Sequence, residues 1–138
     1  MSKVKTAVNI GAMTMKNPVT TASGTFGSGL EMREYVDLRK LGAITVKGTT
    51  LKSRAGNPLP RCTETPSGTL NSIGLENPGV DVFVADILPQ VAAYETPIIV
   101  NIAGSEIPEY GRLAEILEKE DAVSALEANV SCPNVKSG

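Results

Sequence analysis

Four short apolar runs recur along the chain, and each closes on a polar residue. "PVTTAS" (18–23) ends at Ser23, "GAITVK" (42–47) at Lys47, and "PIIVNIAG" (97–104) carries Asn101. "VSALEANVSC" (123–132) ends on Asn129 and Cys132. Runs of this length, rich in β-branched residues and bounded by Gly or Pro, predict buried strands. Between them the spacing of apolar positions turns helical. Leu30, Tyr35, Leu38 and Leu41 predict a helix over 30–41. Residues 80–94, "VDVFVADILPQVAAY", predict a second helix, interrupted or kinked near Pro89. Residues 105–121 predict a third, with Ser105 as N-cap and Pro108 in its first turn. Ahead of all these, 4–10 and 12–16 flank Gly11 and predict a short hairpin. Residues 48–79 are rich in Gly, Pro, Thr, Ser and Asn and predict a long irregular insertion, of the kind usually functional or disordered.

The resulting order, β-α-β-α-β-α-β, calls for parallel strands with right-handed crossovers. All four strand C-termini then lie on one rim, together with the origin of the long insertion. In open α/β sheets and (β/α)8 barrels this rim carries ligands and catalysis. A complete barrel takes about 250 residues, so the 138 residues read as one domain, 1–138, comprising about half a barrel.

Composition narrows the chemistry. The chain has no Trp and no His, so the core is built from Val, Ile, Leu and Ala, and any acid or base must be Cys, Lys, Asp, Glu or Tyr. Its two cysteines, Cys62 and Cys132, cannot make a four-ligand zinc site, and no metal is expected. A net charge of −2 argues against general attraction to nucleic acid. The charge is uneven, however. Residues 1–61 hold ten Lys/Arg against three Asp/Glu, and residues 62–138 hold three against twelve. The basic front half suits an anion; the same charges also suit mutual neutralisation across solvated faces. No signal-length apolar segment and no 18-residue apolar run occurs, which predicts a cytoplasmic, non-membrane protein with reduced thiols.

Cys132 is the one strong candidate for a base or nucleophile on the rim; a loop cysteine held beside Pro133 is the alternative. Lys47 suits a Schiff base, an anion ligand or a charge beside an electron-rich ring, or simply a lysine reaching solvent. Asn101 and Asn129 each offer a donor and an acceptor, which matches heterocycles with alternating C=O and N–H groups. "LNSIGLENPG" (70–79) offers turn N–H groups for a carboxylate or carbonyl. Neither G-x-G-x-x-G after a strand nor a Walker A lysine motif is present.

Five segments in order, "NPVTTASGTFGSG", "VKGTTLKSRAGNPLPR", "GTLNSIGLENPG", "NIAGS" and "NVSCPNVKSG", resemble the class 1 dihydroorotate dehydrogenases. "ASGTFGSG" and "LNSIGLENPG" are more similar to the NAD-linked branch, class 1B. The resemblance spans nearly the whole chain and implies the N-terminal half of an FMN-binding (β/α)8 TIM barrel. It implies oxidation of (S)-dihydroorotate to orotate in pyrimidine biosynthesis. Cys132 would be the base at C5. Ser23, Lys47, Gly48, Asn101 and Asn129 would hold FMN. Lys47, Asn71, Ser72, Ile73, Gly74, Leu75 and Asn129 would contact the substrate. Implied partners are a second catalytic chain and an electron-transfer subunit with FAD and an iron–sulfur centre. The other half of the barrel would bring further glycine-rich loops, an Asn and a Lys. Two other readings are an inert half-barrel acting only in assembly and a Schiff-base aldolase using Lys47.

Overall fold

The computed structural model describes residues 4–131. Strand β1 (Val8–Ile10) pairs antiparallel with β2 (Met13–Met15), as the alternation around Gly11 predicts. Met13 and Met15 are buried while Thr14 between them is exposed, the period-two signature of a strand with one face covered. The hairpin packs Met13 and Met15 against Ala43, Ile99 and Ala125, and so covers one end of the main sheet.

That sheet is parallel, in the order β3 (Ile44–Thr49), β6 (Ile98–Ile102), β7 (Val123–Ala128). The run at 18–23 lies beside β3 and meets it through a single parallel bridge, Thr20 to Ala43. Thr21 completes the contact with its hydroxyl, which accepts from Thr45 N at 2.8 Å and donates to Thr45 O at 3.1 Å. A side chain therefore replaces main-chain pairing there. Ser23 falls in a four-residue helix, α1 (Ser23–Phe26).

Ile44, Val46, Ile98, Val100 and Ile102 share one face of the sheet. They pack against Val80, Phe83, Leu88 and Val91 from one crossover and Leu113 and Leu117 from the next. β3 and β6 are buried along nearly their whole length, and β6 is apolar at every position but Asn101, as suits central parallel strands. The first crossover runs as α2 (Val80–Val82), a π-helical turn (Phe83–Ile87) and α3 (Leu88–Ala92). Pro89 opens α3; with no N–H and a ring crowding the preceding turn, it is accommodated by the widened turn ahead of it, the interruption its position predicts. The second crossover, α4 (Ile107–Leu117), has Pro108 in its first turn.

Besides the 18–23 run, which forms a single bridge rather than the predicted strand, three expectations change. The helix over 30–41 is instead two 3-10 turns, Leu30–Met32 and Leu38–Lys40. Asp37 is extended, and its carboxylate accepts from Arg39 N at 3.1 Å, so it starts a new turn rather than continuing an old one. Of the four apolar positions only Leu38 is buried, and Tyr35 is 82% exposed. Second, Ser105 is not an N-cap. Glu106 occupies that position, and the Glu109 carboxylate reaches back to accept from Ser105 N. Third, the insertion 48–79 is not wholly irregular: β4 (Cys62–Thr65) and β5 (Gly68–Asn71) form an exposed antiparallel hairpin within it.

Candidate active site

The second face of the sheet reads, from the hairpin-covered end upward, Thr45 and Lys47 on β3, Ile99 and Asn101 on β6, Ala125 and Glu127 on β7, then Asn129. Alternation places these side chains together. The covered end is apolar, with Ile99 and Ala125 against the methionines, and the open C-terminal end is polar. A register irregularity in β3 between Val46 and Thr49 falls at Lys47 and Gly48. Such irregularities re-aim side chains beside functional sites.

A cavity of about 180 Å³ opens at this end. Ser23, Lys47, Gly48, Asn101 and Asn129 line it from the strand side; Asn71, Ile73, Gly74 and Leu75 line it from the insertion. Gly24 also lines it, a residue the sequence reading did not single out. Ser72 does not. Its carbonyl and hydroxyl accept from Asn57 Nδ2 at 2.9 and 3.1 Å, on the far side of the loop. Cys132 lies outside the described residues.

The loop 71–75 is held from below by two asparagines. Asn57 N donates to Ile73 O at 2.9 Å. Gly74 has φ +79°, and a β-carbon there would lie 2.7 Å from Asn57 Cγ, so this position requires glycine. Leu75 follows at φ +56°, a left-handed conformation that costs a leucine about 1–2 kcal/mol. Asn77, 7% exposed, supplies the restraint: its Nδ2 donates to Leu75 O at 2.8 Å. Its Oδ1 accepts from Thr50 N at 3.1 Å and Gly79 N at 2.9 Å. Arg61 and Glu76 form an ion pair at the base of the loop. On the strand side, Asn129 N donates to Ile102 O at 2.9 Å, and the Tyr110 hydroxyl of α4 lies between Gly104 O and Asn129 O.

Two features of the cavity ask for a ligand. Asn101 is 4% exposed, yet its Oδ1 has no hydrogen-bond partner among the described residues. An orphaned buried acceptor costs about 1–3 kcal/mol and calls for a donor from outside the chain. Gly48 keeps the approach to it open: a β-carbon there would lie 3.0 Å from Asn101 Oδ1 and 3.2 Å from a Leu75 methyl. Lys47 contributes a cation with no ion pair among the described residues. A planar heterocycle with N–H and C=O groups along its edge, bearing an anionic group, fits this donor set.

A larger cavity, about 420 Å³, shares Lys47 and lies toward Phe83 and Ile87. Apart from the shared Lys47, its polar groups are already engaged. Glu31 accepts from Ser28 N and Oγ at 3.0 and 2.7 Å, Glu76 pairs with Arg61, and Asn77 is saturated by the loop. The smaller cavity, with its unpaired acceptor, is therefore the better candidate for the ligand site.

Residues 5–138 match the family model for dihydroorotate dehydrogenase. The chain belongs to the dihydroorotate dehydrogenase family. Among its relatives are three proteins named dihydroorotate dehydrogenase B (NAD(+)), catalytic subunit. That of Desulforudis audaxviator is 58% identical over 136 residues, covering 99% of this chain and 44% of the relative. That of Bacteroides thetaiotaomicron is 54% identical, covering 96% and 44%. That of Geotalea daltonii is 51% identical, covering 100% and 45%. The chain thus spans less than half the length of these curated relatives. A crystal structure of DHODH from Eimeria tenella, in complex with ferulenol, superposes with a TM-score of 0.69 at 22% identity, over 96% of this chain and 38% of that one. At that identity the likeness speaks to fold. The parallel arc with its crossover helices and N-terminal hairpin is the N-terminal half of a dihydroorotate dehydrogenase (β/α)8 barrel. Among the described residues no helix is long and apolar enough to cross a membrane, and no cluster of His, Cys, Asp or Glu is arranged to hold a metal ion.

Proposed function

We propose that this chain forms the dihydroorotate- and FMN-binding part of a dihydroorotate dehydrogenase catalytic subunit, which oxidises (S)-dihydroorotate to orotate in pyrimidine biosynthesis. The observation that carries the reading is the convergence of Lys47, Gly48, Asn101, Asn129 and the 71–75 loop on one cavity with an unpaired buried acceptor. The relatives' names support the reaction and its coupling to NAD+. Bound FMN supplies the acceptor for the hydride that leaves C6 of dihydroorotate.

The chain's own residues do the rest. Ser23, Gly48 and Asn101 hold the flavin. Gly48 lets the ring approach where a β-carbon would intrude. Lys47 brings one positive charge to both flavin and substrate, and the substrate is itself a carboxylate. Asn129, whose backbone is tied to β6 and α4, orients the substrate ring with Asn71. Ser72, Ile73, Gly74 and Leu75 complete the substrate loop, Ser72 through its backbone and its tie to Asn57. Cys132 takes the C5 proton as a thiolate; a chain without histidine has few other groups for that task. Electrons leave through a partner subunit carrying FAD and an iron–sulfur centre. The catalytic chain works as a homodimer in the cytoplasm, with residues 1–138 forming one unit of the barrel.

The test is Cys132→Ala in a chain of the relatives' full length. FMN content stays at the wild-type level while turnover of dihydroorotate falls by about 10²–10⁴, the contribution of a positioned base. Near-normal turnover refutes the assignment.

A further inference from the structure

Asn101 and Glu127 sit opposite each other in the register of β6 and β7, on the same face. Asn101 Nδ2 donates to the Glu127 carboxylate. Glu127 is exposed at the edge of the sheet and does not line the cavity; Asn101 does. An ionised carboxylate only accepts hydrogen bonds, whereas a carboxamide has one accepting and one donating end of nearly equal shape. Turning the Asn101 amide by 180° would set its carbonyl against the carboxylate and its NH2 toward the cavity. Glu127 forbids that orientation. The end left on the side away from Glu127 is Oδ1, the buried atom without a partner, which lies against Gly48 of the cavity wall.

We propose that Glu127 is a positioning residue: it locks the Asn101 amide so that the cavity presents a carbonyl acceptor, and thereby selects a ligand edge that donates an N–H. The inference rests on the FMN reading. The oxidised isoalloxazine carries a single ring N–H, at N3 between two carbonyls, and this is the donor that Asn101 Oδ1 takes. The signal is hidden in the sequence because the two residues are 26 positions apart and meet only through strand register.

The experiment is a donor–acceptor swap, read by fluorescence titration of apoprotein with FMN in a chain of the relatives' full length. Glu127→Ala frees the amide and weakens FMN binding by about ten-fold or more, as loss of a charge-assisted hydrogen bond does. Asn101→Asp alone sets two carboxylates face to face and weakens it at least as much. The double variant combines Asn101→Asp with Glu127→Gln. In it the amide introduced on β7 donates to the carboxylate introduced on β6, whose other oxygen faces the cavity as an acceptor. FMN affinity then returns to within about three-fold of wild type. Unchanged affinity in Glu127→Ala overturns the proposal. So does a double variant no better than Asn101→Asp, since a carboxylate cannot donate and recovery requires a donating ligand. A wild-type protein that takes up no FMN overturns the FMN reading as well, whereas a wild type that binds FMN beside a failed swap overturns the positioning role alone.

Discussion

Asn77→Ala should uncouple the ligand loop from the sheet. In the wild type its carboxamide is buried beneath the loop, accepting from Thr50 N and Gly79 N and donating to Leu75 O. Thr50 is 6% exposed and Gly79 is buried, so truncation leaves two backbone donors without partners in a site closed to bulk water. At about 1–3 kcal/mol per orphaned donor the loss is about 2–6 kcal/mol. The removed carboxamide makes room for about one water, which can serve both donors and pulls the figure toward the lower end, about 2–3 kcal/mol. Leu75 also loses its restraint while sitting at φ +56°, so residues 71–75 relax and FMN affinity falls with stability. Urea unfolding is the assay. With m of about 1–3 kcal/mol/M the midpoint drops by roughly 0.7–3 M at unchanged m. A loss under about 0.5 kcal/mol, with affinity intact, would mean that the Asn77 hydrogen bonds do not hold the loop.

Gly48→Ala places a methyl 3.0 Å from Asn101 Oδ1; FMN affinity measured by fluorescence should fall about ten-fold or more, while the urea midpoint moves by the equivalent of about 1–3 kcal/mol, the usual cost of overpacking. Tyr110→Phe removes the hydroxyl between Gly104 O and Asn129 O; unfolding should report a loss of about 0.5–1.5 kcal/mol, and the Michaelis constant for dihydroorotate should rise as Asn129 loses its tie to α4.

Where the chain announced its own structure, it did so through burial. β6 is apolar along nearly its whole length and β3 along its core face, and the interruption of the helix at Pro89 follows from a missing N–H; both are local facts. The 30–41 helix fails for an equally local reason of opposite sign, since Asp37 offers its backbone a cap in mid-run and the apolar spacing is too loose to outweigh it. The β4–β5 hairpin escapes notice because all of its residues are exposed, so no alternation marks it. Yet it delivers Asn71 to the cavity. Ser105 and Ser72 sit in motifs that suggest a cap and a ligand, and each is taken by a neighbour instead, Glu109 and Asn57.

The sequence by itself determined the family, the parallel order of the strands and the rim where their polar ends gather, because short-range pattern and topology carry that information. Only the tertiary structure decided which of those residues share a cavity, that Ser72 turns away, and that the Asn101 carbonyl is the group left without a partner. Those outcomes depend on strand register and on contacts between residues 15 to 27 positions apart. Hydrogen-bond partners at that range are chosen by the packed sheet, and no local propensity encodes them.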